Sequence, residues 1–445
     1  MDGLKDYIEW LGDVDFSAKP FGEPDAVILC LISYFDLGPA ETDREEGAFS
    51  EPERPFYLRD CLKAINEGKL KLRITGGEDG NLGVFKAAAQ SKRFGSLTIS
   101  NYVDRLEPEN DLQFSAVTFS FGSEWSFIAF RGTDNTLVGW KEDLKIAYTQ
   151  TEAQKLALAY AVDALQPDVR PEAAEKSRWQ SFKKVFFRRS AQSKQDPLRR
   201  WYIGGHSKGG NLAMFAACQL EGALLDRVEC VYNLDGPGFA PEVVDAALLN
   251  RIEAKTVRII PEYSIIGRIL ESDMLKTRII KSSNDGLMQH SIASWCVDHG
   301  RLAMSDLAQP KDRWLNETIR QWIDSMSFDD RVVFIDELFG ALEATGATTV
   351  DELAAKGKDA AEIIREKIKG FSEPTRRTLG DLQSAAIENA LKKLMNEKDT
   401  VLDSTKKVIV DSTKKVISGI GSKAAEAAET IMVQIQLQKK GKGTE

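Results

Sequence analysis

The stretch Gly205-His206-Ser207-Lys208-Gly209-Gly210 constrains this chain more than any other. It is a G-x-S-x-G sequence set between the apolar run Trp201–Ile203 and the helix-forming Asn211-Leu-Ala-Met-Phe-Ala-Ala. A serine so placed sits in a tight turn from strand to helix, where only small neighbours let the two elements approach closely. Its hydroxyl then projects from the C-terminal edge of a sheet, beside a helix N-terminus that favours negative charge. Ser207 is therefore the candidate nucleophile, the alternative being a Gly-rich structural turn.

The flanking chain carries the pattern such a turn requires. Leu97–Val103, Gln113–Phe121 and Ser126–Arg131 alternate or run apolar, with turn signals at Pro108–Asp111 and Gly122. Helical spacing follows over Glu152–Leu165 and Asn211–Leu224, a strand over Arg227–Leu234, a helix over Pro241–Leu249 and a strand over Thr256–Ile260. Strands alternating with helices of this length predict an α/β fold with a mostly parallel central sheet. Two segments stand apart. A basic insertion, residues 170–200, carries ten Lys or Arg against three Asp or Glu, with Trp179, Phe182, Phe186 and Phe187 among them. From 327 to 445 strand signals fade, which predicts an α-helical C-terminal extension behind a main domain of residues 1–326. Its end repeats Asp403-Ser-Thr-Lys-Lys-Val-Ile as Asp411-Ser-Thr-Lys-Lys-Val-Ile.

Composition removes several functions. At 445 residues, 42% hydrophobic and 29% charged, the chain has globular proportions. With 59 basic against 68 acidic residues its net charge is −9, the wrong sign for a dedicated nucleic-acid binder. The five cysteines are scattered and odd in number, so neither a disulfide framework nor a metal clip is predicted, and no metal or organic cofactor is implied. With an acidic N-terminus and no long apolar run, the expected location is cytoplasmic, with peripheral membrane contact open to the insertion.

A serine nucleophile needs a base, and there are only three histidines. His206 adjoins Ser207, so its ring is expected to point away and serve packing or loop support. His299, in Asp298-His-Gly300, reads as a solvated turn. His290 falls on a loop after the last expected strand, where the order serine, acid, histidine places a base. Two carboxylates compete for the acid. Asp235 ends a strand and opens Asp-Gly-Pro-Gly, itself a turn signal; Glu262 lies just past the next strand. An oxyanion hole requires two donors. Lys208 offers its backbone N–H, and the loop Phe130-Arg-Gly-Thr-Asp134 offers Thr133. Arg131 and Asp134 read equally as a surface pair, while Trp140 and Asp143 are expected to anchor that loop.

Phe130–Asp134, the following Gly139-Trp-Lys-Glu-Asp143 and Gly204–Ala213 together resemble the class 3 lipases. The chain is more closely similar to an uncharacterised bacterial α/β-hydrolase family related to them. That resemblance rests on Asp6–Trp10, Phe130–Asp143, Gly205–Ala213, Asn233–Phe239, Pro261–Gly267 and Gln289–Trp295. It implies an α/β-hydrolase fold and a serine hydrolase with Ser207 as nucleophile, His290 as base and Thr133 with Lys208 at the oxyanion. It favours Asp235 as the acid. The class 3 lipases instead carry an aspartate at the position of Ser264, and the closer family shows an acidic residue where Ser291 stands.

The expected function is hydrolysis of carboxylic esters, lipid esters included, through an acyl-enzyme. The competing expectation is a catalytically silent module that binds a membrane surface or protein partner through the insertion and helical tail. Val408, Ile409, Val416, Ile417, Ile420 and Ile431 form a stripe suited to another helix or to self-association. The tail is expected to be dispensable for catalysis; loss of ester hydrolysis in a stable chain ending near Ser327 would overturn this.

Overall fold

Alternating side chains along four strands divide the interior into two layers. In a computed structural model, Val117 and Phe119, Phe127 and Ala129, Tyr202, and Tyr232 with Leu234 face one core. Their neighbours Phe114 and Ala116, Ile128 and Phe130, Trp201 with Ile203, and Val231 face the other. Period-two alternation with both sets apolar is what a sheet covered on both faces requires.

The structure describes residues 2–38, 56–73, 78–134, 136–146, 148–166, 199–264, 266–272, 274–307, 327–377 and 379–380. Residues 170–198 of the basic insertion and the repeat-bearing tail lie outside them. The described helices are α1 (Leu4–Leu11), α2 (Glu23–Ile32), α3 (Leu62–Asn66), α4 (Glu78–Gln90), α5 (Lys92–Gly95), α6 (Leu137–Ile146), α7 (Glu152–Leu165), α8 (Lys208–Gln219), α9 (Gly222–Asp226), α10 (Ala246–Ile252), α11 (Phe328–Glu343) and α12 (Val350–Lys369). The strands are β1 (Thr98–Glu107), β2 (Leu112–Phe121), β3 (Trp125–Phe130), β4 (Arg200–His206), β5 (Val228–Leu234), β6 (Thr256–Pro261) and β7 (Thr277–Ile280), with a small hairpin β8 (Val297–Asp298) and β9 (Arg301–Leu302).

The seven-stranded sheet runs in chain order, β1 to β7. β1, β2 and β3 pair antiparallel, and every pair from β3 to β7 is parallel. This is an α/β fold. Residues of α1, α2 and α4 cover one face; residues of α7, α8 and α10 cover the other. Parallel strands place all their C-terminal ends on one edge, so the loops after β3, β4, β5, β6 and β7 emerge side by side.

Several elements differ from expectation, among them the helix expected over Asn211–Leu224, which divides into α8 and α9. β7 carries no signal in the sequence, because four residues on a sheet edge give too short a period. α4 contains Gly80 and Gly83, which blur its helical spacing. The helix expected over Pro241–Leu249 begins only at Ala246, because Asp245 caps it by accepting from the Leu248 amide at 2.9 Å.

Backbone contacts divide the chain into residues 1–312 and 313–445. In the second unit, Ser327 and Thr349 cap α11 and α12, and α12 kinks at Gly357. Glu337 on α11 accepts from the Ser372 amide at 3.0 Å and from its hydroxyl. Among the described residues, no helix is long and apolar enough to cross a membrane.

One buried ion pair ties the N-terminal segments together. Arg93 and Asp25 are fully buried and joined twice, Nε to Oδ1 at 2.8 Å and Nη2 to Oδ2 at 2.7 Å. Tyr7 on α1 donates to the same carboxylate at 2.9 Å, and Arg93 also donates to the carbonyls of Val14 and Lys19. Asp25→Ala leaves a buried guanidinium without its counter-charge and is expected to cost about 3–5 kcal/mol in urea unfolding. A loss below about 1 kcal/mol would show that water reaches the site.

Candidate active site

Ser207 is forced into an uncommon backbone. Between β4 and α8 it adopts φ 56°, ψ −128°, a left-handed region that costs a non-glycine residue about 1–3 kcal/mol. The turn closes because its amide donates to the Leu234 carbonyl at 2.9 Å and its carbonyl accepts from Gly210 at 2.9 Å. Gly209 lets α8 lie against β3: a Cβ there would overlap the Phe130 carbonyl oxygen and stand 3.1 Å from the Arg131 carbonyl carbon. The loop 131–134 is thereby pressed against the turn that holds Ser207.

Asp235 occupies the matching position one strand further on, after β5. It also has positive φ, 53°, and its amide donates to the Ile259 carbonyl at 2.8 Å. The carboxylate is fully buried. Its Oδ2 lies 2.6 Å from His290 Nδ1, and its Oδ1 accepts from the Ser264 hydroxyl. A carboxylate only accepts, so His290 Nδ1 carries the proton. In the neutral ring, Nε2 is then the acceptor, and it lies 3.0 Å from Ser207 Oγ. Ser207, His290 and Asp235, far apart in sequence, form one continuous hydrogen-bond chain.

The other carboxylate considered for the acid points elsewhere. Glu262 accepts from the Ser305 hydroxyl at 2.8 Å, while His290 Nδ1 is engaged by Asp235. Ser264 donates its hydroxyl to the same carboxylate that engages His290.

His290 ends a short 3-10 turn, Gly286–His290, that is anchored on several sides. Gln289 Oε1 accepts from the Tyr263 amide at 2.8 Å, and its carbonyl accepts from the Trp295 indole at 3.1 Å. His206 lies under the same turn, its Nε2 2.8 Å from the His290 carbonyl oxygen. His299 is 91% exposed between β8 and β9.

Of the two expected oxyanion donors, Lys208 heads α8, where an N–H lacks an intrahelical acceptor. Thr133 Oγ1 is buried with no hydrogen-bond partner among the described residues. Buried hydroxyls are usually paired, and this one lies in the loop that follows β3. Arg131 and Asp134 are not the surface pair that the sequence allowed. Arg131 is buried, donates to Asp104 Oδ1 at 2.7 Å and stands 3.9 Å from Asp134. The side chains of Trp140 and Asp143 lie outside the described residues.

Sequence reasoning missed the side chain of Lys208. Its ammonium is buried and donates to Glu142 Oε2 at 2.9 Å, to the Gln113 carbonyl at 2.7 Å and to the Gln113 amide oxygen. The clue was a lone lysine inside an apolar strand–helix junction, which demands a buried counter-charge. Among the described residues, no group of His, Cys, Asp or Glu is arranged to hold a metal ion. All five cysteines are free, and burial raises the thiols of Cys61 and Cys218 to about 12.

With this geometry in place, comparison with known proteins assigns the chain to a family. The family model described as Mbeg1-like matches residues 88–340, over half the chain. The chain belongs to the Mbeg1-like family. That match extends past the expected boundary at 326 into α11, and leaves Asp6–Trp10 outside it. No curated protein matches the chain. A solved structure titled "Crystal structure of M37 lipase" aligns at 16% identity and a TM-score of 0.26, covering 48% of this chain and 70% of that one.

In this Mbeg1-like chain the serine turn has no room for a methyl group at 209. Gly209→Ala is expected to cost at least about 1–3 kcal/mol, the usual range for overpacking, because the clash is with backbone. Chemical denaturation checks this, and an unchanged midpoint would mean that α8 moves off β3 freely.

Proposed function

We propose that this protein is a serine hydrolase that cleaves carboxylic esters, lipid esters among them, through an acyl-enzyme. The observation that carries the reading is the chain from Ser207 Oγ to His290 to the buried Asp235. A serine hydroxyl is a poor nucleophile at neutral pH, and this arrangement supplies what it lacks. His290 Nε2 takes the hydroxyl proton as Oγ attacks the acyl carbon, and Asp235 stabilises the imidazolium and fixes its tautomer. The negative charge on the former carbonyl oxygen is received by the Lys208 N–H and by Thr133. Collapse expels the alcohol, which leaves with the proton from His290. Water, deprotonated by the same ring, then releases the acid and restores Ser207.

Thr133 fits its role because its hydroxyl has no other partner among the described residues. The competing reading, a silent module acting through the insertion and the tail, rests on segments outside the described residues. A fluorophosphonate probe separates the two, since only an activated serine is labelled. A panel of esters of graded acyl length then reads the substrate range, and vesicle binding at low salt reads membrane contact.

The full-length protein is expected to be labelled at Ser207. Ser207→Ala and His290→Ala should each lower kcat by about 10⁴–10⁶-fold without matching loss of stability. Asp235→Asn should cost about 10⁴-fold through the tautomer, and Thr133→Val about 10²–10³-fold, the worth of one oxyanion donor. Glu262→Gln should leave turnover near wild type. If Glu262→Gln abolishes turnover while Asp235→Asn retains it, the acid is misassigned. Full esterase activity in Ser207→Ala would overturn the mechanism.

A further inference from the structure

His206 is a buried histidine that the mechanism above does not use, yet all its polar atoms are engaged beside the base. Its Nε2 is 2.8 Å from the His290 carbonyl oxygen, and its Nδ1 is 2.8 Å from the Tyr34 hydroxyl. A carbonyl only accepts, so Nε2 carries the proton. Burial, reinforced by the neighbouring His290, holds the ring's pKa well below its ordinary value, so the ring is neutral. Nδ1 is then an acceptor, and the Tyr34 hydroxyl donates to it. The ring is fixed on its other sides by Trp295, edge-on at 5.9 Å between centroids, and by the His290 imidazole at 4.7 Å.

Gly132, beside Thr133 in the oxyanion loop, makes this arrangement possible. A Cβ there would overlap the Tyr34 hydroxyl and come within 2.5 Å of the His206 carbonyl oxygen. The same missing side chain therefore serves both the loop that offers the oxyanion donor and the contact that holds His206.

We infer that His206 is a positioning residue for the base: through the hydrogen bonds Tyr34 Oη–H to Nδ1 and Nε2–H to the His290 carbonyl, it fixes the backbone of His290 so that its ring spans Ser207 and Asp235. The inference rests on the serine-hydrolase reading and adds to it a second histidine that touches no substrate. Asp235 orients the ring of His290; His206 holds the main chain from which that ring hangs. The role needs a neutral donor of imidazole length. A charged ring there would repel the imidazolium that forms on His290 during turnover.

The test compares His206→Gln with His206→Asn in the full-length protein, reading ester kinetics and the fluorophosphonate labelling rate per folded molecule. Both amides keep a polar side chain, but only Gln reaches the His290 carbonyl. His206→Asn is expected to lower kcat and the labelling rate about 10–100-fold with KM little changed, as for a misplaced base, while His206→Gln stays within about threefold of wild type. Tyr34→Phe, which deletes one hydroxyl, should lower kcat in the same direction and less, again at constant KM. If Asn and Gln behave alike, or if losses track the fall in Tm alone, the inference is overturned and His206 is packing only. If wild-type protein is not labelled at all, the hydrolase reading fails instead. A labelled wild type with an equally fast His206→Asn removes the positioning role and leaves the hydrolase intact.

Discussion

A serine held at φ 56° between a parallel strand and a helix is the constraint on which the rest of the molecule depends. The conformation is costly, so the surroundings must over-determine it. They do so from three adjacent strands. β5 accepts the Ser207 amide at the Leu234 carbonyl, β3 receives the close approach of Gly209, and β4 delivers the residue itself. Because β3, β4 and β5 run parallel, the loops that follow them emerge together. Thr133, Ser207 and Asp235 are consecutive outputs of one sheet edge.

Buried charge is the second device that holds this edge. Lys208, next to the serine, sends its ammonium away from the site to Glu142 on α6 and Gln113 on β2. Arg131, next to Thr133, binds Asp104 on β1. Arg258 on β6 pairs with Glu271 at 2.6 Å and donates to the Gly267 carbonyl, which shapes the loop carrying Ser264. Pairs of this kind, in which the cation is buried, contribute little net stability over apolar packing, but breaking one leaves that charge stranded. Their value here is geometric: each fixes a loop beside the serine in one place.

Much of this was legible in the chain itself. Apolar alternation located β2, β3, β5 and β6 to within a few residues, and the glycine spacing around Ser207 located the turn. The scarcity of histidine narrowed the candidate base to His290. What escaped was set by contacts distant in sequence. β7 is four residues long and its period carries no signal; it takes its identity from the β6 edge it pairs with. Spacing leaves the roles of Arg131 and Asp134 open, a surface pair among them, because it says nothing of Asp104, 27 residues earlier, which draws Arg131 inward. For His206 the sequence predicts packing or loop support but not its partners, because Tyr34 and the His290 carbonyl lie 172 and 84 residues away.

The choice between Asp235 and Glu262 shows what decides the position of such an acid. Both carboxylates follow a parallel strand and both stand at the same edge. At Asp235, the left-handed backbone and the bond from its amide to Ile259 turn the side chain back over the sheet, where burial excludes water. A carboxylate there must have all its charge answered by donors, and His290 Nδ1–H and the Ser264 hydroxyl answer one oxygen each. At Glu262 the amide continues the ladder to Ile280 and the side chain leaves toward Ser305. Glu262 lies past the end of β6 and its carboxylate engages Ser305, whereas the short side chain of Asp235, on a left-handed backbone, is held inward. The proposed acid is thus fixed less by which strand it follows than by the backbone turn that aims it, and Ser264, one loop away, completes the carboxylate without competing for the histidine.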